Sequence, residues 1–377
     1  MANDTYTANA DRLCYVGVFN VITGIAQGGA VSTLAADVSA SGFTLLTTAP
    51  DTSIYRNQPH AGMAWDDTRK AAWIFGAETH SNPANYDNSV YCFDATDGLF
   101  KKMYNQSPWP DEYNIGADGY LWADDASTLP WAAHTYRRLQ YEPNIKSLVF
   151  YMDTEFHSYT TPIQKGDITL ANRKKPKWLF NTVTKIWSTE YSSDIQSFVG
   201  SGTSSAIGYH PDYGYIQCQS PNFRILSNDG VLSTTNVFNN SNTQYHDNGF
   251  VIGEFFYKFG GHASVFLFSR HLLSSPTSTL IKMVADFPVL TDWSINNKSA
   301  VAMSDGNILF IAERGTDLGA FIYDALADSV IDTGYRLTNF TRPAGSYDFK
   351  MAWSNSLNAA VYLTAMYGTV RAYLLRI

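Results

Sequence analysis

A short apolar run, a tight polar turn and a second apolar run recur six times along this chain in the same order. The starts of these predicted β-hairpins lie 74, 71, 44, 50 and 49 residues apart. The six segments are residues 60–75, 134–151, 205–218, 249–268, 299–312 and 348–365. A period of about 50 residues, built from strands without helical patterning, is typical of a β-propeller, in which each repeat forms one blade.

The composition agrees with strands rather than helices. Aromatic residues make up 15% of the chain, and such side chains pack well on a pleated, half-buried surface. Hydrophobic residues make up 45%, which is enough for a sizeable core. A closed array of repeats can occupy most of the 377 residues, so we expect one all-β domain.

The two ends of the repeat array predict how the ring closes. Residues 43–48 form a predicted strand with no hairpin partner, and residues 369–375 form the third strand of the last repeat. Because a blade needs four strands and an open sheet edge invites association, we expect the early strand to complete the last blade. The prediction is a six-bladed β-propeller over residues 41–377, closed by an N-terminal strand and preceded by an extended arm or linker over residues 1–40.

Two details of the blades are also predicted. Aromatic residues near the ends of four first strands are expected to lie in the core between blades, namely Trp65, Tyr141, Tyr209 and Trp353. In the fourth segment, residues 251–257 run almost unbroken, so the turn of that blade is the least clearly marked.

A second pattern follows several hairpins, at residues 91–100, at residues 178–187 and, less closely, at residues 321–330. In each case an aromatic residue before Asp or Asn lies seven positions ahead of an apolar return, which predicts the third and fourth strands. Together with the His60-led first strand and the strand ending at Gly76, this order resembles the kelch-type propellers, the family that includes the central domain of galactose-oxidase-like proteins. The resemblance covers roughly residues 42–377 and implies the fold. The copper oxidases of that family use Tyr and His ligands with a Tyr–Cys crosslink, and no residues here carry that site over.

Histidines and cysteines give no pattern typical of a metal or cofactor site. His60 and His134 begin equivalent strands, which favours a shared structural role; convergence on a metal near the central channel is the alternative. Cys92 and Cys218 lie in apolar runs and are expected to be buried free thiols, although one disulfide is possible. Since no phosphate-binding loop or nucleophile elbow occurs either, we expect no cofactor and no enzymatic activity.

The longest insertion between repeats, residues 104–130, mixes aromatic rings with carboxylates. A sugar-binding platform needs that mixture, because flat rings stack on sugar faces and carboxylates accept hydrogen bonds from hydroxyls. The candidate ligand or partner contacts are Trp109, Asp111, Tyr113, Tyr120, Trp122 and Asp124. The alternative is that the insertion folds over one face and packs its rings on the propeller.

Charge and hydropathy argue against two classes of partner. The net charge of −8, without a basic face, argues against nucleic-acid binding. The one basic cluster, residues 173–177, is short and is expected to be a solvated loop. No apolar run approaches about 18 residues, so no membrane-spanning helix is predicted.

The composition, rich in Tyr, Asn, Ser, Thr and Gly but poor in Lys and Glu, suits a surface exposed to harsh surroundings. The start of the sequence shows no secretory signal, and proteins of bacteriophage particles fit both features because they fold in the cytosol and leave by lysis. We therefore expect a virion structural protein of the tail, neck or capsid exterior, which docks on other virion proteins partly through residues 1–40 and has a host glycan as a further candidate partner. The alternatives are a stand-alone carbohydrate-binding or carbohydrate-acting propeller and a cytoplasmic kelch-type scaffold.

Overall fold

The computed structural model describes residues 41–49, 61–76, 86–107, 112–124, 126–131, 135–151, 163–164, 173–199, 206–219, 222–237, 247–260, 266–296, 298–338, 340, 350–366 and 369–377. The predicted arm over residues 1–40 lies outside these residues, and so do His60 and His134. No helix among the described residues is long and apolar enough to cross a membrane.

The first strand of the described chain, β1 (Gly42–Ala49), is followed by the first two blades. The first blade contains β2 (Gly62–Asp66), β3 (Ala71–Phe75), β4 (Tyr91–Asp94) and β5 (Leu99–Lys102). An insertion then carries β6 (Glu112–Ile115) and β7 (Leu121–Trp122). The second blade contains β8 (Leu139–Glu142), β9 (Ser147–Phe150), β11 (Lys177–Asn181) and β12 (Trp187–Glu190), with β10 (Ile163–Gln164) lying between β9 and β11 in the chain and pairing with β6.

The short helix α1 (Ser193–Val199) leads to the remaining blades. The third blade contains β13 (Ala206–His210), β14 (Gly214–Gln219), β15 (Asn222–Leu226) and β16 (Leu232–Asn236). The fourth contains β17 (Asn248–Ile252), β18 (Phe255–Phe259), β19 (Phe266–Leu272) and β20 (Ser275–Met283). The fifth contains β21 (Ala300–Ala302), β22 (Ile308–Arg314), β23 (Asp317–Asp324) and β24 (Ser329–Leu337), and the sixth begins with β25 (Met351–Ser354), β26 (Ala359–Met366) and β27 (Thr369–Arg376).

The sixth blade is completed by β1, as predicted. The strand order of that sheet is β1-β27-β26-β25, with Phe43 opposite Leu375 and Thr48 opposite Arg371 in antiparallel register. The first strand of the first blade, β2, contacts both β8 and β25, so the two ends of the array meet. The six-bladed ring closed by an N-terminal strand is therefore confirmed.

The apolar core of the described chain consists of six clusters, and each lies between two successive blades. The apolar runs in the sequence explain this arrangement. A strand that is apolar on both sides needs both faces of its sheet covered, and in the ring each blade is covered by its two neighbours. Trp65, Tyr141 and Trp353 are half-buried and pack against these clusters. The prediction is wrong for Tyr209, which stays 38% exposed because its ring lies against Tyr215 at the surface end of the interface.

Three sequence-based expectations need correction. The run over residues 251–257 is broken by a turn at Gly253, whose φ of +52° suits glycine, so β17 ends at Ile252. Cys92 is disulfide-bonded and is not a free thiol, whereas Cys218 is free and buried as expected. The basic cluster is not a solvated loop: Lys174 is exposed, but Arg173 and Lys177 are buried.

Lys177 is buried because it lies between the second and third blades among groups that compensate its charge. Its Nζ atom is 3.0 Å from Oε2 of Glu190 and 3.8 Å from Oε2 of Glu142. The same ammonium lies 5.9 Å from the ring centroid of Tyr151 and 5.7 Å from that of Tyr215. Carboxylates and aromatic faces together stabilise a cation that water no longer surrounds.

Candidate functional site

The insertion between the first and second blades forms a small sheet of its own. Strand β6 pairs with β7 in antiparallel register and with β10 in parallel register. A tight turn joins β6 to β7, in which the amide of Gly119 donates to the carbonyl of Gly116 at 2.8 Å and Gly119 has a φ of +85°. The amide of Lys174 donates to the carbonyl of Gly119 at 2.9 Å, and this bond ties the turn to the segment that leads into β11.

Four aromatic rings meet where the insertion packs on the second blade, and we call Tyr120, Trp122, Trp178 and Tyr191 the aromatic shelf. The rings of Trp122 and Trp178 pack edge to face, with centroids 4.9 Å apart. Tyr120 lies 6.4 Å from Trp178 and 6.0 Å from Tyr191. The two tryptophans are buried, Tyr120 is half-buried and Tyr191 is 39% exposed, so the shelf runs from the core to the surface.

Polar groups of both charges border the exposed end of the aromatic shelf. The indole Nε1 of Trp122 donates to the two carboxylate oxygens of Asp118 at 3.3 and 3.2 Å, and the amide of Tyr120 donates to Oδ1 at 2.9 Å. On the other side, the Nζ atom of Lys174 lies 5.2 Å from the ring centroid of Tyr191. The exposed side chains of Asp118 and Lys174 thus place an acceptor and a donor beside the rings.

The phenol groups of the aromatic shelf are hydrogen-bonding groups at neutral pH. Burial and the nearby Asp118 carboxylate raise the pKa of Tyr120, so its hydroxyl keeps its proton. The hydroxyl of Tyr191 donates to Oε1 of Gln196 at 2.8 Å. A ligand at the shelf therefore meets flat apolar faces edged by hydroxyl, amide, carboxylate and ammonium groups.

The structure brings together two of the six contacts predicted from the insertion. Tyr120 and Trp122 both belong to the aromatic shelf, although Trp122 is buried and supports it from below. Tyr113 lies on β6, and Trp109 and Asp111 lie outside the described residues. Asp124 points its carboxylate at its own turn, where Oδ1 accepts from the amides of residues 128 and 129 at 2.9 and 2.8 Å.

Sequence reasoning missed the half of the site that comes from the second blade. Lys174, Tyr191 and Gln196 lie 44, 61 and 66 residues beyond the end of the insertion at residue 130. The sequence offers one signal, which is the position of Tyr191. This aromatic residue follows directly after β12, where the alternation of buried and exposed residues along the strand ends. That signal does not identify a partner for Tyr120, since the contact arises from how the insertion folds back.

A buried thiol–imidazole pair between the third and fourth blades has no reactive form at neutral pH. The Sγ atom of Cys218 lies 3.8 Å from Nε2 of His271. Burial raises the pKa of Cys218 to about 11 and lowers the pKa of His271 to about 4. Both groups are therefore neutral at pH 7, and a protonated, buried thiol is neither a nucleophile nor a metal ligand. No group of three or more His, Cys, Asp or Glu side chains within the described residues could hold a metal ion.

Among known proteins, solved structures show distant likenesses to this chain. Neither a protein-family model nor a curated protein matches this chain. Among solved structures, the chain is similar to selenomethionine-substituted virginiamycin B lyase from Staphylococcus aureus, with 10% sequence identity and a TM-score of 0.44. The match covers 88% of this chain and 99% of that one. A likeness this distant carries no argument about activity, so the function must be argued from the residues of the site.

Proposed function

We propose that this protein is a non-enzymatic interaction platform whose aromatic shelf binds a saccharide or a saccharide-bearing partner. The observation that carries the proposal is the pair of Tyr120 and Tyr191, which offer ring faces at the surface between Asp118 and Lys174. Apolar C–H faces of a sugar ring pack on such phenol rings, and its hydroxyls bond to the charged groups at the border. The two buried tryptophans hold the rings in place before any ligand arrives, which reduces the ordering cost of binding.

We further propose that the protein belongs to a virus particle, where the propeller is a structural component and the aromatic shelf faces outward. The composition supports this role, because a surface poor in Lys and Glu and rich in Tyr, Asn, Ser and Thr suits a particle exposed to varied surroundings. In this proposal, residues 1–40 dock on a neighbouring particle protein. Since the closing strand β1 begins at Gly42, removing residues 1–40 is expected to leave that strand in place but to keep the protein out of particles.

Binding to a glycan array tests the aromatic shelf. The variant Tyr191→Ala is expected to lower the affinity for the bound saccharide by about five- to a hundredfold, since loss of one stacked ring removes about 1–3 kcal/mol. Tyr209→Ala is the matched control, because Tyr209 is also a surface tyrosine, 38% exposed, and its ring packs at an angle of 53° against the ring of Tyr215. Absence of any glycan binding by the wild-type protein would reject the saccharide part of the proposal. Equal losses in the two variants would reject the shelf as its site.

A second candidate function is a stand-alone carbohydrate-binding propeller outside any particle. The same shelf favours it, because nothing about Tyr120 and Tyr191 requires a neighbouring particle protein. The two candidates differ in one measurable property. A particle component sediments with purified particles, whereas a stand-alone binder stays in the soluble fraction and binds the same glycans there.

A further inference from the structure

The side chain of Lys174 is held at the border of the aromatic shelf. Its backbone amide donates to the carbonyl of Gly119 at 2.9 Å, which fixes the start of the side chain beside the turn between β6 and β7. The aliphatic stem then passes over Gly119, where its Cδ and Cγ atoms lie 3.4 and 3.5 Å from the position that a Cβ atom would take. The ammonium at the end of the stem lies 5.2 Å from the ring centroid of Tyr191. Lys174 therefore reaches from the turn that carries Tyr120 to the ring of Tyr191.

The positive charge of Lys174 has no carboxylate partner within the described part of the chain. Its exposed ammonium makes no ion pair within 4.0 Å of a described carboxylate, whereas the ammonium of Lys177 in the same segment lies 3.0 Å from Glu190. The contact with the ring of Tyr191 is a weak interaction at an exposed site, where water still surrounds much of the cation. The ammonium of Lys174 is therefore available to an anionic group that reaches the shelf.

The carboxylate of Asp118 is bound elsewhere on the shelf and does not neutralise Lys174. Its two oxygens accept from the indole of Trp122 at 3.3 and 3.2 Å, and Oδ1 also accepts from the amide of Tyr120 at 2.9 Å. Asp118 thus belongs to the Trp122 end of the shelf, and the ammonium of Lys174 belongs to the Tyr191 end. The shelf therefore has an acidic end and a basic end, with the ring of Tyr120 next to both.

We propose that the aromatic shelf selects an acidic saccharide, whose sugar ring packs against the tyrosines and whose carboxylate binds the ammonium of Lys174. This inference rests on the proposed function, because it names the class of saccharide that the same site takes. A hydrogen bond between a carboxylate and an ammonium is stronger than one between a hydroxyl and an ammonium. The hydroxyls of the same sugar then face Asp118, which accepts hydrogen bonds but repels a second negative charge.

A glycan array of matched pairs, probed over a range of protein concentrations, tests the proposal. Each pair consists of a glycan that ends in a sialic acid or a uronic acid and the same glycan after reduction of its carboxylate to a hydroxymethyl group. We expect the wild-type protein to bind the acidic member about fivefold more tightly, which corresponds to about 1 kcal/mol for an exposed ion pair. Added sodium chloride should reduce this preference, because salt screens exposed charges.

Three variants assign the preference to one side chain. Lys174→Gln removes the charge and is expected to bind the two members of a pair equally, whereas Lys174→Arg keeps the charge and is expected to retain the preference. Lys146→Gln is the matched control, because Lys146 is an exposed lysine of the same blade, in the turn between β8 and β9. Its carbonyl accepts from the amide of Thr182, which follows the end of β11 opposite to Trp178, so this variant should keep the wild-type preference.

The possible outcomes separate this inference from the proposed function. Equal binding of the two members of every pair by the wild-type protein would overturn the inference and leave the saccharide site standing. A preference for the acidic member that persists in Lys174→Gln would also overturn it, since another cation would then be responsible. Binding of neither member of any pair would reject the saccharide site itself, and the inference with it.

Discussion

The hydroxyl of Ser354 donates a hydrogen bond of 2.5 Å to the carboxylate of Asp67, although 287 positions separate the two residues in the chain. Asp67 lies in the turn after β2, and Ser354 ends β25, so the bond joins the first blade to the last. The indole of Trp65 donates to the same carboxylate at 3.0 Å, and the amide of Ser356 does so at 3.2 Å. These bonds support the closure that β1 provides within the sixth sheet.

The variant Asp67→Ala is expected to lower the free energy of unfolding by about 2 kcal/mol, because several donors lose a charged acceptor at once. Asp305→Ala is the matched control. Asp305 occupies the corresponding turn of the fifth blade, where, within the described part of the chain, its carboxylate accepts from Asn307 alone, at 3.0 Å. The control is expected to cost less than about 1 kcal/mol. Urea unfolding at pH 7 measures both, and equal losses would show that the contact between the blades adds nothing.

The contribution of Asp67 is also expected to depend on pH. Burial by itself raises the pKa of Asp67, but hydrogen bonds from Ser354, Trp65 and Ser356 outweigh it and leave the pKa below 3.8. The ionised form is therefore favoured in the folded protein, and its contribution is lost as the pH falls through that lowered pKa. The difference in stability between wild type and Asp67→Ala should be constant near neutral pH and shrink below pH 3.8. A difference that persists in acid would contradict the role of the charge.

Replacing the buried ammonium of Lys177 is expected to destabilise the interface between the second and third blades. Lys177→Met keeps the aliphatic chain but leaves Glu142 and Glu190 without their cation, which should cost about 2–4 kcal/mol. Lys282→Met is the control, since the pair of Lys282 with Asp328 is on the surface and is expected to contribute less than about 1 kcal/mol. Chemical denaturation at pH 7 compares the free energies of unfolding of the two variants. A similarly small loss in both would show that Lys177 contributes no more to stability than a surface lysine does.

His271 is expected to make the fold sensitive to mild acid. Burial lowers its pKa to about 4 from an ordinary value of 6.5. Between these values the unfolded chain binds a proton that the folded protein does not, so stability falls as the pH drops from 6.5 to 4. The loss is about 3 kcal/mol at the low end of this range. The variant His271→Asn, which does not titrate, should show a shallower decline in thermal unfolding scans; an equally steep decline would assign the acid sensitivity to other groups.

Lys185 is expected to react as a neutral amine near physiological pH. Burial lowers its pKa to about 7, and the positive charges of Arg69 and Lys101 add to the effect. Its Nζ atom lies 5.2 Å from the ring centroid of Trp73, and the residue is half-buried. Because acetic anhydride attacks only the neutral amine, labelling followed by mass spectrometry should reach half its maximum near pH 7. A reference lysine peptide should need a pH of about 10.4. If labelling of Lys185 and of the reference peptide depended on pH in the same way, the lowered pKa of Lys185 would be refuted.

Much of the fold could be predicted because propeller blades leave a local signal. The turn residues after β2, β13 and β21 and the aromatic–Asp pattern at Tyr91 depend on nearby neighbours in the chain. The closing strand β1 could be predicted by counting, since the last repeat lacked one strand. The interruption at Gly253 was missed because glycine followed by a single polar residue is a weak signal inside an apolar run.

The candidate site was only half predictable, for a physical reason. Tyr120 and Asp118 share one turn, so their proximity follows from the local chain. Tyr191 and Lys174 lie near Tyr120 and Asp118 because the insertion packs on the second blade. No spacing of residues in the sequence predicts that packing. The burial of Lys177 was missed for the same reason, because its compensating carboxylates come from β8 and β12.

Electron cryo-microscopy of particles purified from the native source shows whether this protein is one of their structural components. We expect a six-bladed ring at a repeated position, with residues 1–40 against a neighbouring protein and Tyr191 of the aromatic shelf facing solvent. A protein absent from particles and recovered only in the soluble fraction would contradict the structural role. A shelf buried against a particle neighbour would contradict its role in glycan binding.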